Sequence, residues 1–83
     1  MTPEAATAGG ETVQLDARGL NCPMPIVRTA QTIKTLAPGQ LLEVLATDPG
    51  SVADFAAWSR STGNEIVTSG VQDGVYRFVL RRK

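Results

Sequence analysis

The chain has 83 residues, 42% of them hydrophobic, which is enough apolar content for one small domain with a single core. Eight Lys and Arg residues balance eight Asp and Glu residues, so composition gives no reason to expect nucleic acid or an anionic membrane as the main partner. The single cysteine excludes a disulfide within the chain, and the fold must therefore depend on packing alone.

The first eleven residues differ in composition from the rest of the chain. They are rich in Ala, Thr and Gly and carry Glu4 and Glu11 but no basic residue, so they do not resemble a signal peptide. We interpret residues 1–11 as a flexible N-terminal tail and residues 12–83 as a single domain. No apolar run is long enough to span a bilayer, and a lone free thiol favours a reducing compartment. We therefore expect a cytoplasmic protein without a membrane partner.

A strand and a helix are predicted first. Residues 12–16 alternate between polar and apolar side chains, which is typical of a half-buried strand. Between residues 23 and 36 apolar side chains recur at helical spacing, and Pro38-Gly39 stops that helix. The predicted apolar stripe comprises Ile26, Val27, Ala30, Ile33, Leu36 and Ala37.

A central strand and a second helix follow. Residues 41–47 form the most apolar segment and predict a strand that is covered on at least one face. The second helix has two possible starts: Asp48 caps it with Pro49 at the first helical position, or Ser51 caps it with Asp54 reaching back. It ends at Thr62-Gly63. Its predicted inner face carries Val52, Phe55, Ala56 and Ser59, with Trp58 at the margin.

The last third of the chain predicts a hairpin. Two β-rich segments, around residues 65–69 and 75–81, are separated by Asp73-Gly74, a strong hairpin signal. The element order is then β-α-β-α-β-β, with the first two strands parallel and the last two antiparallel. We expect an α/β (α+β) two-layer sandwich in which a four-stranded mixed sheet has two helices packed on one face.

The most informative segment is Cys22-Pro23-Met24-Pro25, at the predicted start of the first helix. Prolines are tolerated there because the first amide hydrogens of a helix have no intrahelical partner. They should make the helix start rigid and place Cys22 near the positive end of the helix dipole, where a thiolate is favoured. Arg18, four residues upstream, is a candidate for adding positive potential.

The rest of the sequence excludes most other chemistry for this thiol. With no histidine and one cysteine, the chain offers neither a Cys-His pair nor a ligand set for structural zinc. It has no Cys-x-x-Cys motif and no Gly-rich phosphate loop, so we expect no metal and no cofactor. A bare thiol without acid/base groups suits a covalent carrier of sulfane sulfur, as a persulfide, better than a stand-alone enzyme. A lone cysteine is often a small buried hydrophobe, but Cys22 lies outside the apolar stripe.

Residues 15–25, Leu-Asp-Ala-Arg-Gly-Leu-Asn-Cys-Pro-Met-Pro, resemble the Leu-Asp-x-x-Gly-x-x-Cys-Pro-x-Pro signature of the TusA/SirA/YedF-like sulfur-carrier family. Thr47-Asp48-Pro49 followed by Asp54 resembles the family's second motif, and the likeness covers residues 12–83. The resemblance implies the same β-α-β-α-β-β sandwich, with Cys22 as the persulfide carrier. It also implies a sulfur-donor protein, either a cysteine desulfurase or a rhodanese, and an acceptor sulfurtransferase.

The resemblance further implies supporting residues around the thiol. Pro23 and Pro25 would fix its presentation, and Asp16 and Gly19 would shape the loop beneath it. Asp48, like Cys22, follows a parallel strand, so the two should lie at the same edge of the sheet; Asp48 then docks a partner, orients the loop or simply caps the helix.

Two positions depart from the pattern of some family members. Met24 replaces an acidic residue found in some of them, which suggests a more apolar docking surface. Ser59 lies near a position where others have a second cysteine, which removes redox pairing with Cys22.

Two other functions stay open from the sequence. One is a regulatory or interaction module in which Cys22 is structural and a basic C-terminus binds an acidic partner or nucleic acid; that cluster consists of Arg77, Arg81, Arg82 and Lys83. A solvated edge strand with a charged tail is the simpler interpretation, and overall neutrality argues against direct nucleic-acid binding. The other is a thiol-dependent reductase, which lacks a resolving cysteine. A carrier that exposes its cysteine to alternating partners is expected to be a monomer.

Overall fold

The element order of the chain is as predicted. The computed structural model describes residues 12–83, so the predicted tail lies outside the described residues. The elements are β1 (Val13–Ala17), α1 (Met24–Ile33), β2 (Leu41–Ala46), α2 (Ser51–Thr62), β3 (Glu65–Gln72) and β4 (Val75–Arg81). The strands form one sheet, and both helices pack against it and against each other. The predicted two-layer α/β sandwich is confirmed.

The sheet is mixed, with strand order β1-β2-β4-β3. β1 runs parallel to β2, while β4 is antiparallel to both β2 and β3. β2 is central, as predicted, and its side chains alternate: Leu42, Val44 and Ala46 are fully buried beneath the helices. Because successive side chains of a strand point to opposite faces, the other three residues of β2 lie on the open face of the sheet.

The first helix is shorter than predicted and buries a slightly different stripe. Its buried residues are Pro25, Thr29 and Ile33, which are spaced four apart. The hydroxyl of Thr29 donates to the carbonyl of Pro25 at 2.9 Å, which satisfies this polar group inside the core. Ala37 is exposed because the helix ends at Ile33, so its predicted burial is wrong.

The early end of α1 has a structural cause. The hydroxyl of Thr35 donates to the carbonyl of Thr32 at 2.7 Å, and the guanidinium of Arg82 donates to the carbonyl of Leu36. The bond from Thr35 satisfies one of the carbonyls that the end of α1 leaves without a helical partner, and the bond from Arg82 holds the segment that follows the helix. With ten and twelve residues, neither helix in the described part of the chain is long and apolar enough to cross a membrane.

The second helix contributes the aromatic centre of the core. Phe55 is fully buried and stacks on Phe78, with ring centroids 4.3 Å apart, while Trp58 meets it edge-on at 6.4 Å. The buried face runs through Ser51 and Phe55, four residues apart, so Val52 is rotated away from the core and is 52% exposed. The predicted burial of Val52 is therefore wrong.

The basic C-terminus is divided among several structural partners. On the open face of the sheet Arg77 pairs with Glu43, and Arg81 pairs with Glu65 at 2.9 Å. Arg82 instead binds carbonyls that follow α1. The prediction of an edge strand here is wrong, since β4 lies between β2 and β3 and β3 forms the edge. The predicted basic cluster is thus not one continuous surface.

Replacing Phe55 with alanine should lower the free energy of unfolding by about 3–5 kcal/mol, because it removes a buried ring from a stacked pair and leaves a cavity. Urea denaturation measures this change. Val67→Ala is the control, because Val67 is exposed on β3 and its truncation should cost less than about 1 kcal/mol. Equal losses for the two variants would contradict the assignment of Phe55 to the core centre.

Candidate functional site

The loops that follow the two parallel strands lie side by side. β1 and β2 end in register, with Ala17 opposite Ala46, so the chain leaves both strands at the same edge of the sheet. The amide of Gly19 donates to the hydroxyl of Thr47 at 3.0 Å and ties the two loops together. Cys22, which is exposed, follows on the first loop and Asp48 on the second. The structure therefore brings together two residues that are 26 positions apart.

Asp48 connects the thiol loop to the start of α2. One carboxylate oxygen accepts the backbone N–H of Cys22 at 2.5 Å, and the other accepts the N–H of Gly50 at 3.0 Å. Neither predicted capping arrangement forms, because α2 begins at Ser51 and Gly50 occupies the cap position without a side-chain cap. With one oxygen engaged by Cys22, Asp48 orients the loop and does not cap the first turn.

Asp54 contacts the sulfur itself. The thiol of Cys22 donates to a carboxylate oxygen of Asp54, with Sγ and Oδ2 3.1 Å apart. Asp54 lies in the first turn of α2, which begins at the same edge of the sheet as the thiol loop. From the sequence we expected Asp54 only to cap the helix and to form part of a motif. Its position in the first turn of the helix that follows Asp48 could have indicated that it lies near Cys22.

The acidic surroundings determine the protonation of the thiol. The hydrogen bond to Asp54 raises the pKa of Cys22 above its ordinary value, and desolvation and the negative charges of Asp54 and Asp48 act in the same direction. The prediction of a favoured thiolate is therefore wrong. Cys22 precedes Pro23, the residue at the cap position of α1, and a helix dipole acts mainly within the first turn. The carboxylates of Asp54 and Asp48 act against this dipole.

Arg18, which the sequence suggested as a source of positive potential for the sulfur, binds Asp16 instead. Its side chain donates to both carboxylate oxygens of Asp16, at 2.8 and 2.9 Å, and its backbone N–H also donates to Asp16 at 3.0 Å. These hydrogen bonds lower the pKa of Asp16 to about 2. They close the turn that begins the thiol loop, and Gly19 follows with a φ of +82°, a conformation that favours glycine.

The residues between and beside the prolines differ in exposure. Pro25, the second residue of α1, is buried, whereas Pro23 is exposed at the helix start. Met24 is 38% exposed, and its backbone N–H donates to the carbonyl of Asn21 at 2.8 Å. An exposed apolar side chain thus lies two residues along the chain from Cys22. Within residues 12–83 no group of three His, Cys, Asp or Glu side chains is arranged to hold a metal ion.

Replacing Asp54 with asparagine should lower the pKa of Cys22, because the negative charge next to Sγ is lost. The rate of alkylation by iodoacetamide, followed as a function of pH, should then rise at lower pH and be several-fold faster near neutrality. Asp73→Asn is a matched control, since Asp73 lies on the β3–β4 turn and does not contact the thiol. An unchanged or higher midpoint in Asp54→Asn would contradict this account of the site.

Comparison with known proteins identifies the family of this chain. A family model described as Sulfurtransferase TusA matches residues 13–82. Sulfur carrier protein TusA of Allochromatium vinosum is 48% identical over 69 residues, which cover 83% of this chain and 91% of that protein. Sulfur carrier protein TusA of Pseudomonas paraeruginosa is 41% identical over 69 residues, with 83% and 87% covered.

A solved structure shows the same fold. A SirA-like protein from Desulfitobacterium hafniense superposes with a TM-score of 0.74, covering 83% of this chain and 95% of that one at 22% identity. The fold, the family model and the similar sulfur carriers agree with one another. The chain therefore belongs to the TusA family of sulfurtransferases and sulfur carrier proteins.

Proposed function

We propose that this protein carries sulfane sulfur as a persulfide on Cys22 and transfers it between partner proteins. The observation that carries the proposal is an exposed thiol held at the edge of the sheet by two carboxylates, in a chain without histidine. Such a site has a nucleophilic sulfur but neither an imidazole to act as a general acid or base nor a second thiol to complete a redox cycle. Membership in the TusA family supports the same conclusion.

Loading of Cys22 is an exchange between sulfur atoms. The sulfur of Cys22 attacks the terminal sulfur of a donor persulfide, a new S–S bond forms at Sγ, and the S–S bond of the donor breaks. The electron pair leaves with the donor thiolate, which takes up the proton that Cys22 gives away. Delivery repeats the exchange with an acceptor thiol attacking the persulfide of Cys22. Both steps balance without an external oxidant or reductant.

The surrounding residues have proposed roles in presenting the sulfur. Asp48 holds the backbone of Cys22, and Asp54 accepts the hydrogen bond of the thiol and keeps it protonated between transfers. A thiol is less easily oxidised than a thiolate, so this arrangement protects an exposed sulfur. Pro23 and Pro25 hold the start of α1 in place, and Met24 provides an apolar contact for the partner.

The proposed partners are a cysteine desulfurase or a rhodanese as donor and a sulfurtransferase as acceptor. The downstream process is tRNA thiolation, sulfuration of a cofactor or oxidation of reduced sulfur. We propose that residues 12–83 act as one carrier domain and as a monomer, in the cytoplasm, where a free thiol persists.

Mixing the protein with a cysteine desulfurase and cysteine, or with a rhodanese and thiosulfate, should add the mass of one sulfur atom. Intact-mass spectrometry measures the adduct, and a reducing agent should remove it because a persulfide is reducible. The matched control is Cys22→Ser, which should gain no mass. No adduct from either donor, or an equal adduct in Cys22→Ser, would overturn the proposal.

A further inference from the structure

The strand register defines one end of the molecule that surrounds the thiol. Ala17, Ala46, Tyr76 and Val71 are successive register partners across the sheet, so they form the last row on that side that crosses all four strands. The pair Gln72 and Val75 and then the β3–β4 turn lie beyond this row. The thiol loop and the starts of both helices are at the same end. We call this end, from Cys22 to the β3–β4 turn, the thiol pole.

Exposed apolar side chains are concentrated at the thiol pole. Within residues 12–83 the exposed large hydrophobic residues are Met24, Val52, Val67 and Val71. Met24 begins α1, Val52 is the second residue of α2, and Val71, at 61% exposure, belongs to the last row that crosses all four strands. Val67 alone lies away from the pole, at the irregularity of β3 near its other end. Several exposed apolar side chains on one side of a small protein are typical of an interaction surface.

Charge is distributed just as unevenly. Asp48, Asp54 and Asp73 lie at the thiol pole, and none of them belongs to an ion pair among residues 12–83. Two cations lie at this end within residues 12–83, Arg18 on the thiol loop and Arg77 next to Tyr76, and both are in ion pairs, with Asp16 and Glu43. At the opposite end, Lys34, Arg82 and Lys83 line a groove of about 450 Å³. The thiol pole is therefore negative and the opposite end is positive, although the whole chain is neutral.

We propose that the thiol pole docks a sulfur-donor protein whose reactive sulfur is surrounded by apolar side chains and by Lys or Arg residues. This inference rests on the proposed function, because the occupant is the donor that loads Cys22. Val52 and Val71 would contact the apolar part of that surface, and Asp48, Asp54 and Asp73 would face its cations. The charge separation along the molecule orients it during approach, thiol pole first, since the positive end is repelled.

Such a partner also changes the state of the sulfur on docking. A Lys or Arg side chain that pairs with Asp54 neutralises the charge that keeps Cys22 protonated. The thiol then releases its proton more easily where the donor persulfide is already in place. Docking and activation would therefore depend on the same carboxylate.

The test compares loading by a protein with loading by a small molecule. The protein donor is whichever of a cysteine desulfurase with cysteine or a rhodanese with thiosulfate loads the wild type faster; the small molecule is glutathione persulfide. Val52→Ser and Val71→Ser should each slow loading by the protein donor several-fold to tenfold and leave loading by glutathione persulfide unchanged. Val67→Ser, exposed but away from the pole, is the matched control and should match the wild type in both reactions.

Salt provides the second arm of the experiment. Loading by the protein donor should slow as ionic strength rises, because screening weakens attraction between opposite charges. Asp73→Asn should slow loading at low salt and reduce this dependence. Urea denaturation of each variant checks that the fold is intact.

Three results would overturn the inference. The first is that Val52→Ser and Val71→Ser load as fast as Val67→Ser from the protein donor, while glutathione persulfide loads all three variants. This result would contradict the docking surface and leave the proposed function intact. The second is failure of both donors on the wild type, which removes the proposed function together with its docking surface. The third is self-association that Val52→Ser abolishes, which assigns the surface to a second copy of this chain.

Discussion

The structure of the site depends on two carboxylates that converge on one cysteine. Asp48 accepts the backbone N–H of Cys22 and Asp54 accepts its thiol, so both atoms of Cys22 that can donate a hydrogen bond do so to the segment around the start of α2. These two hydrogen bonds join the loop after β1 to the start of α2. The parallel pairing of β1 and β2 makes them possible, because it brings the ends of both strands to one edge.

This arrangement favours a thiol that is accessible but slow to react alone. A cysteine at the start of a helix is usually considered activated, yet the nearer carboxylates raise its pKa. For a carrier the distinction matters, since an exposed thiolate would react with oxidants and small electrophiles between partners. Under the proposed docking, a protonated sulfur would become reactive where a partner supplies positive charge. The same acidic groups would then protect the thiol and select the surface that it meets.

Features that depend on local patterns and on topology could be predicted from the sequence, and those that depend on the direction of individual side chains could not. The topology follows from the alternation in β2, the Asp73-Gly74 turn and the presence of a helix after each of the first two strands. This topology is sufficient to bring Asp48 close to Cys22. The pairing of Arg18 with Asp16 is a choice between side-chain directions that no spacing specifies. Val52 is exposed because the buried face of α2 runs through Ser51 and Phe55, and a broad apolar stripe does not specify which neighbour of Phe55 is buried with it.

The central claim is that sulfur passes through Cys22 on its way to another protein, and transfer of isotopically labelled sulfur tests it most directly. The protein is loaded with labelled sulfane sulfur, separated from its donor and mixed with an acceptor sulfurtransferase, and the label is located by mass spectrometry of peptides. The account predicts that one labelled atom leaves Cys22 and is found on the acceptor cysteine, and that Cys22→Ser transfers none. Label that stays on Cys22, or that reaches the acceptor equally well through Cys22→Ser, would contradict it.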